Sequence, residues 1–110
     1  MAKEAKADGM SAFIIGGTLY KLKPEKLLCE WETLTTERTE SGGKVGFDLF
    51  PTRNLIYIPG DAFILDAVTN GNHKPRIINE AEARKLMDEH PAGIHIDAYR
   101  RKFGDPLEVE

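Results

Sequence analysis

The stretch DEHPAGIHID, residues 88–97, holds two histidines and three carboxylates in ten residues. His90, His95 and Asp97 are residue types that bind zinc and other divalent ions, and their spacing makes them the candidate metal or acid–base set of this chain. A zinc-protease pattern needs two histidines on adjacent turns of one helix with a glutamate between them. Here Pro91 separates the histidines and Glu89 precedes both. A helix ends before a proline of this kind, so the two imidazoles belong to different elements. Each residue also has a local structural use. His90 closes a helix, where the dipole favours partial positive charge. Asp97 opens the next helix and is spaced to pair with Arg101 at i+4. Only His95 lacks an evident local duty.

Other chemistry-bearing residues are sparse. Cys29 has no histidine near it in sequence to act as a base, and a strand thiol of this kind is expected to be buried and inert. Glu30 and Glu32 share one face of a strand, which reads as a solvated face rather than a glycosidase pair, whose carboxylates come from separate elements. YRRKF sets Arg100, Arg101 and Lys102 between two aromatics, with Arg84 and Lys85 on the preceding helix, and is the candidate nucleic-acid contact. Asp88, Glu89, Asp97 and Asp105 surround that cluster and oppose its field. No P-loop, dinucleotide fingerprint or nucleophile elbow is present, and no motif calls for a cofactor.

The elements that must position these residues fall into two halves. Residues 12 to about 78 read as strands and turns, and residues 79–104 as two helices. AFIIGGTLYKL reads as strand, with Gly16-Gly17 marking a bulge or tight bend. KPEK makes a turn. LLCEWETLTTERT follows as a long strand, with Cys29, Trp31 and Thr33 on one face and Leu28, Glu30, Glu32 and Leu34 on the other. ESGGK turns again. VGFDLF sets Val45, Phe47 and Leu49 against Asp48, and PTRN is expected to turn into the strand LIYI. Pro59-Gly60 fits a type II turn and NGN at 70–72 a hairpin turn, leading to a short strand RII. AFILDAV is apolar on both faces, with Phe63 and Leu65 on one and Ile64 and Val68 on the other. Asn79 caps a helix whose buried stripe is Ala83, Leu86, Met87 and His90, with Glu82 completing a capping box. The second helix is expected to bury Ile96, Tyr99 and Phe103 and to end at Gly104.

These segments resemble a known group. GTLYKLKPEKLLCEWE, LFPTRNLIYI, RIINEAEARKLMDEH and YRRKFGD look like the plan of short bacterial proteins of unassigned activity carried on phages, plasmids and integron gene cassettes. That plan is a Gly-x-x-Tyr opening to a β-meander, a capped Glu-Ala-rich helix and a final aromatic Phe-Gly turn. The likeness spans most of residues 16–105, with NLIYI standing where the group carries G-x-Y-F. It implies a context of mobile bacterial DNA, and no catalytic residue.

Composition sets the outer limits. The chain has 110 residues, 41% hydrophobic and 30% charged, with a net charge of −3. That length supports one domain with one modest core. The acidic balance argues against duplex nucleic acid, which is bound largely by phosphate neutralisation. No apolar run approaches the roughly 18 residues of a membrane span. MAKEAKADGM lacks the apolar stretch of a secretory signal, and one cysteine cannot form an internal disulfide, so a cytoplasmic setting is expected. Residues 1–11 read as a disordered leader or tail ahead of a single domain, 12–110.

The expected fold is therefore α+β: an antiparallel meander of about five or six strands followed by two C-terminal helices packed on one sheet face. The helices cover one apolar face only. The other needs cover too, which leads us to expect a homo-oligomer joined through an apolar sheet face, or a protein or small-molecule partner. The expected function is a non-enzymatic interaction or ligand-binding module, with Tyr20, Trp31 and Tyr57 as contact aromatics. A small enzyme built on His90, His95 and Asp97, and a nucleic-acid binder using Arg100, Arg101 and Lys102, are the alternatives.

Overall fold

A computed structural model of the chain describes residues 11–106. The leader expected over residues 1–11 lies outside the described residues apart from Ser11, which opens the first strand.

Six strands precede two helices: β1 (Ser11–Ile15), β2 (Thr18–Leu22), β3 (Leu27–Ser41), β4 (Lys44–Tyr57), β5 (Phe63–Thr69), β6 (Asn72–Ile78), α1 (Glu80–Glu89) and α2 (Ile96–Phe103). β3 to β6 form an antiparallel four-stranded sheet in chain order, and β1 and β2 form a separate two-stranded hairpin. The fold is the α+β meander with two C-terminal helices that the sequence predicts.

Three segments differ from expectation, each for a local reason. Gly16 and Gly17, with φ of 59° and 83°, make the tight bend rather than the bulge. It divides the expected single strand into two that pair, so that Ile15 faces Thr18 across a two-residue turn. Two successive positive φ values belong to a type I′ hairpin turn, which Gly-Gly enters without strain. PTRN is not a turn. Pro51 to Asn54 lie within β4, an unbroken strand of 14 residues. β5 pairs with β4 only from Thr52 onward, so Pro51 stands where β4 has left β5 and its missing N–H interrupts no ladder on that side. The short strand expected at RII runs from Asn72, with Pro75 on an edge strand where it is tolerated.

The core lies between the helices and one sheet face. Cys29, Ile56, Phe63, Leu65 and Ile78 meet Ala83 and Met87 of α1 and Ala98 of α2. A register shift between Leu27 and Cys29 turns Leu28 into this core, although strict alternation would place it on the far face. α1 starts as its sequence predicts, with Asn79 Oδ1 accepting from the Glu82 amide at 2.7 Å. α2 departs from its predicted stripe: Ala98 is its buried residue and Ile96 is 44% exposed, while Tyr99 and Phe103 are half-buried. Among the described residues no helix is long and apolar enough to cross a membrane.

The second sheet face is covered in part from within the chain. The β1–β2 hairpin lays Phe13 and Leu22 on Ile64, with Ile15, Tyr20 and Tyr57 around them. Beyond this covered body, β3 and β4 continue alone as a two-stranded arm, pairing from Leu34–Pro51 to Ser41–Lys44 around the turn at Gly42-Gly43.

Candidate functional site

The predicted metal set does not converge. His90 caps α1 and stacks on Trp31, the rings 4.4 Å apart and 7° from parallel. Its carbonyl accepts from Cys29 Sγ at 3.7 Å. His95 reaches away from His90 to Glu30, donating from Nε2 to Oε2 at 2.7 Å. Asp97 and His95 do line one open cleft of about 420 Å³ beside Glu25 and Arg101, but His90 takes no part in it. Among the described residues no group of three or more His, Cys, Asp or Glu side chains is placed to hold a metal ion.

His95 thus has the duty that the sequence left unassigned. Its amide donates to the Leu28 carbonyl at 2.8 Å, and Ile94 bridges Cys29. The Pro91–Gly93 joint therefore lies along the outer edge of β3 and shields it where pairing with another chain would otherwise be open. Gly93 makes that approach possible, because a Cβ there would lie 1.8 Å from the Glu30 carbonyl oxygen. Burial works against ionisation of Glu30, but the hydrogen bonds from His95 and Arg53 outweigh it and hold the carboxyl below its usual range. Arg53 lies 3.2 Å from the same side chain.

The remaining titratable candidates are also structural. Burial pushes the Cys29 thiol up to about 11, so it stays protonated and unreactive at neutral pH. Asp66, 2% exposed, holds His73 at 2.7 Å, and Phe13 sits over that imidazole at 5.4 Å between ring centroids. Asp66 Oδ1 meets no hydrogen-bond donor among the described residues. A carboxylate–imidazole pair can orient a base, but this one lies beneath the hairpin with the Tyr57 hydroxyl as neighbour. Tyr57 is itself held above its ordinary value by burial and by the Asp66 charge, which makes it a poor nucleophile.

The basic cluster is largely occupied. Arg100 pairs with Asp105 at 3.2 Å, Lys102 lies 5.3 Å from the centre of the Phe63 ring, and Arg101 donates to the Glu25 carbonyl rather than to Asp97. The three contact aromatics do not stand open either. Trp31 packs beneath His90, while Tyr20 of the β1–β2 hairpin and Tyr57 of β4 are half-buried against the Phe13, Leu22 and Ile64 cluster.

The sequence places Val45, Phe47 and Leu49 on one face, as the structure has them; what it did not reveal is that this face runs on through Pro51 beside Leu34 along a two-stranded arm. Cross-strand partners share a face, so Leu34, Thr36, Arg38 and Glu40 of β3 lie beside Pro51, Leu49, Phe47 and Val45 of β4. The apolar members form one stripe, with Leu34 67%, Phe47 66%, Leu49 61% and Val45 53% exposed. The signal for it was present: the odd positions from Val45 run in phase through Pro51 to Leu55, an alternation that the supposed PTRN turn concealed. The opposite face of the arm's base carries the half-buried Phe50 beside Thr35 and a row of hydroxyls. There Thr52, buried, links Thr35 and Thr69 by hydroxyl contacts of 2.5 and 2.6 Å across three strands.

No protein-family model, curated protein or solved structure matches the chain.

Proposed function

We propose that this protein is a non-enzymatic interaction module and that the apolar face of the β3–β4 arm is its docking surface. The carrying observation is the stripe Leu34, Val45, Phe47 and Leu49, each more than half exposed. Taking about 150–230 Å² for each such residue when fully exposed, the stripe offers roughly 450 Å², in the range of functional surface patches on small proteins. A two-stranded ribbon gains little from its own ladder in water. Large side chains on its open face therefore serve contact better than they serve the fold. The resemblance to proteins of mobile bacterial DNA supplies a setting for such a module.

The test uses an apolar fluorescent dye, anilinonaphthalene sulfonate, on protein diluted until it sediments as a monomer. Wild type binds the dye saturably, and the double variant Phe47→Ser, Leu49→Ser loses most of that signal while its far-UV spectrum is kept. Equal dye binding by the two proteins would show that the arm is not the accessible apolar surface.

A further inference from the structure

Resting on that reading, we propose that the occupant of the arm's apolar face is a second copy of this chain, the two arms packed face to face and antiparallel about a twofold axis. Three observations carry it.

The first is area. One stripe of roughly 450 Å² is thin for a specific complex, but two copies together bury about 1,000 Å² once the flanking Thr36, Arg38 and Pro51 are included, which reaches the lower bound for a specific interface. The second is symmetry. A twofold axis across the arms lays the β4 column of one copy on the β4 column of the other, apolar on apolar, and the β3 column on its counterpart. One self-complementary patch then closes the assembly without leaving a free end for further growth. The third is charge. The charged groups on this face, Arg38 and Glu40, lie 2.8 Å apart in one copy, so the face is neutral and two copies meet without net repulsion. A strongly charged partner is not called for, since the face offers it nothing to pair with.

Among the described residues the hairpin that covers the rest of this sheet face is committed to Ile64 and Tyr57, and the stripe on the arm stays more than half exposed.

Sedimentation velocity of the full chain across a wide concentration range tests the proposal. The expected result is a reversible rise from 12.3 kDa to twice that mass. The Phe47→Ser, Leu49→Ser variant should weaken the association at least about a hundredfold, while Ile77→Ser, an exposed apolar residue off the arm, leaves it unchanged. Should the double variant fail to fold, Phe47→Ser alone is read the same way. A wild type that is monomeric up to about 1 mM overturns the second copy as occupant while leaving the docking surface to stand on the dye result. A dimer that the arm variants leave intact also overturns it, because the copies then meet elsewhere.

Discussion

Replacing Gly93 by Ala should unsettle the joint between the helices out of proportion to one methyl group. Helix and turn propensities alone favour Ala over Gly here, since Gly93 is not in the left-handed region, and the loss of unfolded-state entropy would stabilise by up to about 1 kcal/mol. The structure reverses that sign. The added Cβ would lie 1.8 Å from the Glu30 carbonyl oxygen, 2.9 Å from its carbon and 3.3 Å from its nitrogen, all of them backbone atoms that no rotamer change can move. Restoring an ordinary 3.4 Å contact requires the joint to lift from β3 by about 1.6 Å. The His95 N–H to Leu28 carbonyl bond, 2.8 Å long, then fails, and the His95–Glu30 bond and the Ile94 bridge to Cys29 are disturbed with it. One lost backbone bond, one weakened charge-assisted bond and a strained contact together cost about 3 kcal/mol. In a domain of this size that lowers the melting temperature by roughly 10–20 °C. Thermal unfolding followed by circular dichroism reads it, with Ala92→Gly at the exposed neighbouring position as a control expected to shift little. A Gly93→Ala protein melting within 2 °C of wild type would refute the close approach on which this reasoning rests.

Three further outcomes follow from the same contacts. Thr52→Val removes the hydroxyl that joins Thr35 and Thr69 and leaves both without their shared partner, at a cost of about 1–2 kcal/mol in urea unfolding; an unchanged midpoint would mean that the hydroxyl ladder contributes nothing. Cys29, with its thiol pushed up to about 11, should react with a thiol reagent at pH 8 far more slowly in the native protein than in urea, and equal rates would contradict its burial. The Glu30 carboxyl is held below the ordinary glutamate range by its hydrogen bonds to His95 and Arg53, so its contribution is present above that range and is lost as pH falls through the lower native value. Wild type should therefore exceed Glu30→Gln in stability near neutral pH and converge with it in acid. The gap should stay below about 1 kcal/mol because the pair is partly exposed, and a gap that is constant with pH would refute the assignment.

Much of the fold was legible because its signals are local. Asn79 and Glu82 announce the start of α1, Pro91 its end, and Gly60 and Asn70-Gly71 their turns. Pro91 also argued correctly that the two histidines belong to different elements. The misread segments depended on what lies alongside in space. Gly-Gly marks a bulge or a hairpin equally well until a partner strand is known, and the structure gives the hairpin. Pro51 ends a strand if neighbours flank it on both sides, but β5 stops at Thr69, so β4 runs past it. The duty of His95 was hidden because its partner, Glu30, lies 65 residues away. The aromatics Tyr20, Trp31 and Tyr57 were chosen for exposure by residue type, yet their burial is set by the hairpin and by His90, neither of which local pattern reveals.

The central claim, that the arm is a continuous ribbon whose apolar face is covered by a second copy in solution, is tested most directly by amide hydrogen exchange over residues 45–50, read at those amides that bond across to β3. The account predicts slow exchange at high protein concentration, approaching that of the β4–β5 pairing, and markedly faster exchange on dilution below the association midpoint, with the Phe47→Ser, Leu49→Ser variant fast throughout. Exchange at these amides that is equally fast at every concentration would contradict it.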